Sequence, residues 1–272
     1  MTGRLAFFIT LCLTLNFPLM ATERLVVAGG SLTEIVYALG AEDQLVGVDS
    51  SSIYPYAATK LPNIGYYRTL NVEGTLSVQP TKIILLSGAG PENVVKQLSR
   101  LEVETLMVDN PKTVAGLIKT IEIIAKETGT TAAGKLLIEK IKTEIEHLST
   151  MPKLTGKTAA FLMSAGERGL IAAGTDTTPS LIFDSLNISN PFSSLKGFKP
   201  VSAEALAENA PDVILIASHT TQNQDIESLC DSAPLKLWAS IKGCNLVKID
   251  SLKYLGLTPR LPQAIVETRE LF

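Results

Sequence analysis

The segment Glu73-Gly-Thr-Leu-Ser-Val-Gln-Pro-Thr-Lys-Ile-Ile-Leu-Leu86 predicts a helix that leads through a proline into a buried β-strand. The segment from Glu204 to Leu215 repeats this design with a glutamate, a spacer of six residues, Pro211 and an apolar strand. The two copies flank a long stretch from Thr113 to Leu148, in which apolar residues recur near every third or fourth position. A repeat on both sides of a long helix indicates two similar lobes that face each other across a cleft.

Short apolar strands alternate with helices in both halves of the chain. We predict strands at Leu25–Ala28, Leu45–Val48, Ile83–Leu86, Glu104–Val108, Thr158–Met163, Val213–Ala217 and Leu246–Ile249. Strands without polar alternation are typical of parallel sheets covered by helices on both faces. The sequence therefore predicts an α/β fold with two Rossmann-like lobes, each with a central parallel sheet, joined by a long hinge helix. In such sheets, ligands bind beyond the carboxyl ends of the strands.

The predicted boundaries follow from these patterns. Residues 1–21 form a signal peptide, 22–128 the N-terminal lobe, 129–153 the linking helix and 154–272 the C-terminal lobe. Arg4, the apolar run Leu5–Leu15 and a cleavage site at Ala21 are typical of a cleaved secretory signal, which predicts an exported, soluble protein. An oxidising compartment permits a disulfide between Cys230 and Cys244, and two buried thiols are the alternative.

Composition excludes several classes of function. The net charge is −3 and no basic cluster is present, so neither nucleic acid nor an anionic membrane is an expected partner. The chain has no Gly-x-Ser-x-Gly elbow, no phosphate-binding loop of the Gly-x-x-x-x-Gly-Lys-Ser type and two histidines, so a catalytic triad has few candidate bases. The sequence therefore shows no recognisable catalytic constellation.

Acidic residues mark several predicted helix starts. Ser31 and Glu34 have the spacing of a capping box, in which each side chain accepts a hydrogen bond from an amide at the helix start. Gly40 then ends that helix. Glu73 and Glu204 lie near the starts of the two repeated helices, where the helix dipole favours a negative charge.

The segment Asn63–Gly74 is the strongest candidate for ligand contact. Tyr66 follows Gly65 and precedes Arg68 by two residues, and a nearby positive charge favours the tyrosinate form. A tyrosinate is a known axial ligand of haem iron. The alternative is that Tyr66 and Tyr67 are ordinary exposed aromatic residues. His219 follows a predicted strand and is a second candidate for the cleft, with a structural or exposed histidine as its alternative.

Several motifs carry a resemblance to a known family. They are Gly30–Gly40, Leu45–Asp49, Leu61–Leu70, Ala172–Gly174, Gly197–Leu206, Ala210–Leu215 and Pro259–Pro262. On these motifs the chain, from about Val26 to its end, resembles the periplasmic haem-binding proteins of bacterial haem ABC importers, within the single-helix-hinge class of solute-binding proteins. Gly65-Tyr66-x-Arg68-x-Leu70 is more specific to the haem branch of that class.

The resemblance implies roles for individual residues. It implies Tyr66 as the axial ligand of the iron of haem b, and Arg68 as the residue that polarises this tyrosine or pairs with haem charge. It also implies that Glu73 and Glu204, one per lobe, dock on an inner-membrane permease dimer with its ATPase. Some family members place a histidine near the stretch matching Ser164–Gly166. This chain has none there, so the resemblance does not imply six-coordinate iron.

Two alternative functions stay open from the sequence. A corrinoid or ferric-siderophore carrier would have the same fold and the same export signal. The other alternative, a secreted hydrolase, belongs to a different functional class. The sequence shows no recognisable pairing of nucleophile and base for it.

Overall fold

The computed structural model describes residues 23–164, 169–221 and 224–272, so the predicted signal peptide lies outside the described residues. The first sheet contains β1 (Leu25–Ala28), β2 (Leu45–Val48), β3 (Lys82–Leu86) and β4 (Glu104–Val108). Its order is β2-β1-β3-β4, and all of its strand pairs are parallel. β1 and β3 are completely buried, which explains why their sequences show no polar alternation.

The second sheet contains β5 (Ala159–Ser164), β6 (Leu170–Ala173), β7 (Phe198–Val201), β8 (Val213–Ala217) and β9 (Leu246–Ile249), in the order β7-β6-β5-β8-β9. β5, β8 and β9 are parallel, whereas β6 runs antiparallel to both of its neighbours. The α/β class and the two lobes are confirmed, with a second sheet that is mixed where we predicted a parallel one.

Helices cover both sheets. They are α1 (Gly30–Ala38), α2 (Val72–Leu76), α3 (Glu92–Leu98), α4 (Val114–Glu127), α5 (Thr131–Thr150), α6 (Thr178–Leu186), α7 (Ala203–Glu208), α8 (Ile226–Asp231), α9 (Ala233–Lys242), α10 (Ser251–Leu255) and α11 (Leu261–Arg269). No helix in the described ranges combines the length and apolar character needed to span a membrane.

Helix α5 lies between the two sheets in the chain and packs against α4 and α11. One cluster of buried apolar residues extends from the first sheet past Ile138 and Ile141 of α5 to Phe161 in the second sheet. A second cluster, centred on the fully buried Trp238, covers the other face of the second sheet. The core is therefore continuous from lobe to lobe where the chain crosses between them.

The start of α1 differs from the predicted capping box. The helix begins at Gly30, and its N-cap is Gly29, a residue without a side chain that could cap the helix. The amide of Gly29 donates to Asp49 Oδ1 at 2.9 Å, and that of Gly30 donates to Ser51 Oγ at 2.9 Å. The prediction for Ser31 and Glu34 was wrong because the helix starts before Ser31, which lies inside it, and the Glu34 carboxylate accepts hydrogen bonds from Arg260 instead.

The disulfide prediction is confirmed. Cys230 and Cys244 are bonded, with their Cα atoms 5.9 Å apart, and the bond joins α8 to the segment before β9. The closed loop contains α9, which carries Trp238. The bond therefore holds a surface helix pair over the second core cluster.

Candidate ligand-binding site

The loops that leave the carboxyl ends of the strands meet where the lobes touch. A Cβ atom on Gly30 would lie 2.3 Å from the carbonyl oxygen of Ser51 and 3.0 Å from Leu252 Cδ1. Gly30 begins α1 in the first lobe, whereas Leu252 lies in α10, directly after β9 of the second lobe. This close contact, which only a glycine at position 30 permits, joins the lobes at the floor of the cleft.

Tyr66 is held on the first-lobe side of this cleft by its two neighbours. Gly65 has a φ of +97°, a conformation that favours glycine. Its amide donates to Asn63 Oδ1 at 2.8 Å, and its carbonyl accepts from the amide of Ser50 at 2.9 Å. The Tyr66 side chain is 42% exposed, and its ring packs edge-to-face on Tyr67 with centroids 5.0 Å apart. The loop is therefore fixed while the aromatic ring stays accessible to a ligand.

Arg68 contacts Tyr67. Its guanidinium carbon lies 4.8 Å from the Tyr67 ring centroid, and a Cβ atom on Gly88 would lie 3.2 Å from Arg68 Nη1. Burial raises the pKa of the Tyr67 hydroxyl, and the charge and hydrogen bond of Arg68 oppose this rise. Within the described ranges, Arg68 makes no hydrogen bond or ring contact with Tyr66. Arg68 is exposed.

His219 lies on the second-lobe side, in a short 3₁₀ turn after β8. Its Nδ1 atom is 2.6 Å from Ser251 Oγ, and its backbone amide donates to the same hydroxyl at 3.2 Å. Burial lowers the pKa of His219, so its imidazole is neutral at neutral pH. Ser251 precedes Leu252, so His219 is hydrogen-bonded to the neighbour of the residue that contacts Gly30.

Asp49 is the site residue that our sequence reasoning did not identify. It is buried, with 1% of its surface exposed, and it follows β2 directly. Its carboxylate accepts hydrogen bonds from the amides of Gly29 and Tyr67 and from the hydroxyls of Ser51 and Ser52. An acid between an apolar strand and a run of serines was the available signal, although its partners lie far away in the sequence.

Glu73 and Glu204 occupy equivalent positions. Each is the second residue of its helix, after an N-cap whose side chain accepts from the amide three residues on: Asn71 in one lobe and Ser202 in the other. Both glutamates are exposed. The pKa of Glu204 is lowered by hydrogen bonds from its own amide and from Ser202, so it stays charged.

Both glutamates also lie toward the cleft. Leu70, next to Asn71, donates its amide to the oxygen of Gly90 in the loop after β3. β7 is antiparallel to β6, which is antiparallel to β5, so β7 ends at the same edge of the sheet as β5 and β8. The two acids thus flank the carboxyl-end loops of both lobes.

The described residues also line two cavities away from these side chains. One of about 550 Å³ lies beside Cys230 and Cys244, and one of about 430 Å³ lies beside Tyr54, Lys140 and Arg260. Neither of these two cavities is lined by Tyr66, Arg68 or His219. Residues 165–168, which include most of the stretch Ser164–Gly166, lie outside the described residues.

Comparison with known proteins agrees with this architecture. A family model described as periplasmic binding protein matches residues 25–241. The vitamin B12-binding protein of Yersinia pestis is 25% identical over 215 residues, which cover 79% of this chain and 76% of the relative. An uncharacterized ABC transporter substrate-binding lipoprotein, YvrC of Bacillus subtilis, is 25% identical over 190 residues; the match covers 68% of this chain but 60% of the relative.

Solved structures are similar over nearly the whole chain. The periplasmic haem-binding protein HutB of Vibrio cholerae is 30% identical with a TM-score of 0.83, and the match covers 92% of this chain and 99% of that one. The periplasmic haem-binding protein RhuT of Roseiflexus sp. RS-1, in apo form, is 28% identical with a TM-score of 0.83, covering 92% and 98%. The periplasmic vitamin B12-binding protein BtuF of Vibrio cholerae, at 22% identity, TM-score 0.74 and coverage of 92% and 96%, shares the fold.

Proposed function

The chain belongs to the periplasmic binding protein family, and we propose that it is a haem-binding member that serves a bacterial ABC importer. It is a binding protein and not an enzyme. In this proposal, residues 1–21 direct export and are cleaved, and the mature monomer captures haem b between its lobes in the periplasm. It then delivers the haem to an inner-membrane permease dimer driven by its ATPase.

The observation that carries the proposal is the presentation of Tyr66. An exposed phenol on a loop fixed on both sides is preorganised for a ligand, because little conformational freedom remains to be lost on binding. Ferric iron is a strong Lewis acid that favours the tyrosinate form, so the phenol oxygen suits the iron of haem. Tyr66 is therefore the proposed axial ligand.

Charged and apolar groups around Tyr66 suit the remainder of a haem molecule. Haem combines an apolar macrocycle with two carboxylates, so its binding surface needs aromatic contact and a cation. The ring of Tyr67 lies beside Tyr66, and the guanidinium of Arg68 is accessible for a carboxylate. A neutral His219 on the opposite lobe provides a further proposed contact that carries no charge penalty against ferric iron.

Delivery to a permease is supported by the two exposed glutamates. Glu73 and Glu204 share a helix position and lie one on each lobe beside the cleft. A permease dimer offers two equal surfaces, so two equivalent acids would engage both at once. Such rim charges set orientation and encounter rate more than affinity.

The second candidate is a corrinoid carrier, because vitamin B12-binding proteins are among the relatives at 25% identity. The deciding experiment is a competitive titration of the purified mature protein with hemin, cyanocobalamin and a ferric siderophore. We expect a Soret shift and a tyrosinate-to-iron charge-transfer band with hemin, and no displacement of hemin by the other two. Saturable binding of cyanocobalamin without hemin binding would replace the haem proposal with the corrinoid one.

A further inference from the structure

The two carboxylate oxygens of Asp49 accept hydrogen bonds from different parts of the site. Oδ1 accepts from the amide of Gly29 at 2.9 Å and from the hydroxyl of Ser52 at 2.9 Å. Oδ2 accepts from the amide of Tyr67 at 3.2 Å and from that of Ser51 at 3.1 Å. The Ser51 hydroxyl donates to both oxygens, at 3.0 and 2.8 Å. One buried side chain therefore serves five donor groups from three separate segments.

These bonds fix both sides of Tyr66. The residue before it, Gly65, accepts the amide of Ser50, and the residue after it, Tyr67, donates its amide to Asp49. Tyr66 is thus the one residue between two bonds to the pair Asp49–Ser50. Among the described residues, the one ring contact of the Tyr66 side chain is its edge contact with Tyr67, so the direction of the phenol depends on the two backbone hydrogen bonds beside it.

The same carboxylate reaches the contact between the lobes. Gly29 and Gly30 donate their amides to Asp49 and to Ser51, and Gly30 lies against Leu252 of the second lobe. Asp49 therefore connects the backbone beside Tyr66 to the segment that contacts the second lobe.

We propose that Asp49 is the positioning residue for Tyr66, setting its placement for the iron of the bound ligand relative to the interlobe contact. This inference rests on the proposed function. Asp49 does not touch the ligand itself. It acts by holding the amide of Tyr67 and the start of α1 on its two oxygens, so that Tyr66 is preorganised in the ligand-free protein.

The test compares Asp49→Asn with wild type in the full mature protein, using hemin as the probe. An asparagine that keeps its oxygen toward Gly29 places an NH₂ group opposite the amide of Tyr67, where two donors face each other. We expect hemin to dissociate about tenfold faster and the tyrosinate-to-iron band to shift, since a hydrogen bond to a charged group contributes roughly that factor.

Asp212→Asn is the matched control. Asp212 also accepts an amide and a hydroxyl, both from Thr158, but it precedes β8 and lies at the other end of its sheet. We expect Asp212→Asn to lower the unfolding midpoint while the band and the dissociation rate remain those of wild type. The positioning role would be overturned if Asp49→Asn and Asp212→Asn had equal unfolding midpoints and the tyrosinate-to-iron band of Asp49→Asn were unshifted.

Two further outcomes are informative. If Asp49→Asn does not fold, Ser52→Ala decides, because it removes one donor to Oδ1 and leaves the carboxylate in place; a folded Ser52→Ala with the wild-type band and rate would overturn the inference. If wild type itself shows no tyrosinate band with hemin, the proposed function fails, and the positioning role fails with it. If wild type shows the tyrosinate-to-iron band and only the Asp49 and Ser52 variants shift it, the result supports both the proposed function and the positioning role.

Discussion

Glu34 and Arg260 form a bidentate ion pair between the two lobes, although 226 residues separate them in the chain. Arg260 Nε donates to Glu34 Oε1 at 2.9 Å, and Nη2 donates to Oε2 at 2.8 Å. The third nitrogen of the guanidinium donates to Asp250 at 2.6 Å, and the group lies 3.6 Å from the centroid of the Tyr54 ring. All three nitrogens of the guanidinium are therefore engaged by carboxylates from both lobes.

The first prediction is that Glu34→Gln destabilises the protein strongly. The side chains of Glu34 and Arg260 are 3% and 12% exposed, so the substitution leaves a largely buried guanidinium without half of its counter-charge. We expect the free energy of unfolding to fall by about 3 kcal/mol, the loss typical of a broken buried pair. Chemical denaturation measures it. Glu92→Gln, at the exposed pair with Lys96, should change the value by less than about 1 kcal/mol. Equal effects of both variants would contradict the role of burial.

The second prediction concerns acid. Burial alone would raise the pKa of Asp250, but the hydrogen bonds and charge of Arg260 outweigh it, and the pKa is lowered overall. A carboxyl with a lowered folded-state pKa contributes stability above its unfolded value of about 3.9, and this is lost as the pH falls through the folded value. We expect wild type to lose stability below about pH 4, and Asp250→Asn to lose less over the same window. Denaturant midpoints at several pH values measure both; parallel curves would contradict the prediction.

Features that depend on contacts between residues far apart in the chain were the hardest to predict from the sequence. The parallel strands were predictable because β1 and residues 83–86 of β3 are apolar, and the Tyr66 loop was predictable because Gly65 marks a turn before it. β7 escaped prediction because it is a partly exposed edge strand that contains Pro200. Asp49 and Glu34 escaped because their partners come from remote segments. The local pattern around Glu34 matched a capping box equally well.

The third prediction separates the two neighbouring tyrosines. Tyr66→Phe removes one oxygen and keeps the exposed ring, so we expect hemin binding to weaken and the tyrosinate-to-iron charge-transfer band to disappear. Tyr67→Phe removes a buried hydroxyl beside Arg68, and we expect it to leave that band in place. Absorption titrations of both variants decide the assignment. Loss of the band in Tyr67→Phe alone would transfer the ligand role to Tyr67.

The fourth prediction uses the fact that the chain has two histidines. His219 lies at the cleft end of β8, whereas His147 lies in the last turn of α5. We expect His219→Ala to weaken hemin binding by about tenfold, comparable to the loss of one good polar contact. His147→Ala is the control and should bind as wild type. A His219→Ala protein with unchanged affinity and spectrum would restrict His219 to its structural bond with Ser251.

The last prediction tests docking. Reversing both proposed contact charges, Glu73→Arg with Glu204→Arg, should leave the fold and hemin affinity intact, because both side chains are exposed and lie in the helices α2 and α7. Delivery should be abolished, since in this proposal the acids engage two basic surfaces of the permease, and cations in their place would repel those surfaces. The control, Glu122→Arg with Glu139→Arg, makes the same change in net charge on exposed positions of α4 and α5. Hemin titration and uptake into vesicles that carry the importer are measured on both double variants.

Normal uptake with the Glu73 and Glu204 variant would remove the docking role, and impaired uptake with both would show a general effect of charge. Lost hemin binding would show that the two glutamates serve the lobes themselves.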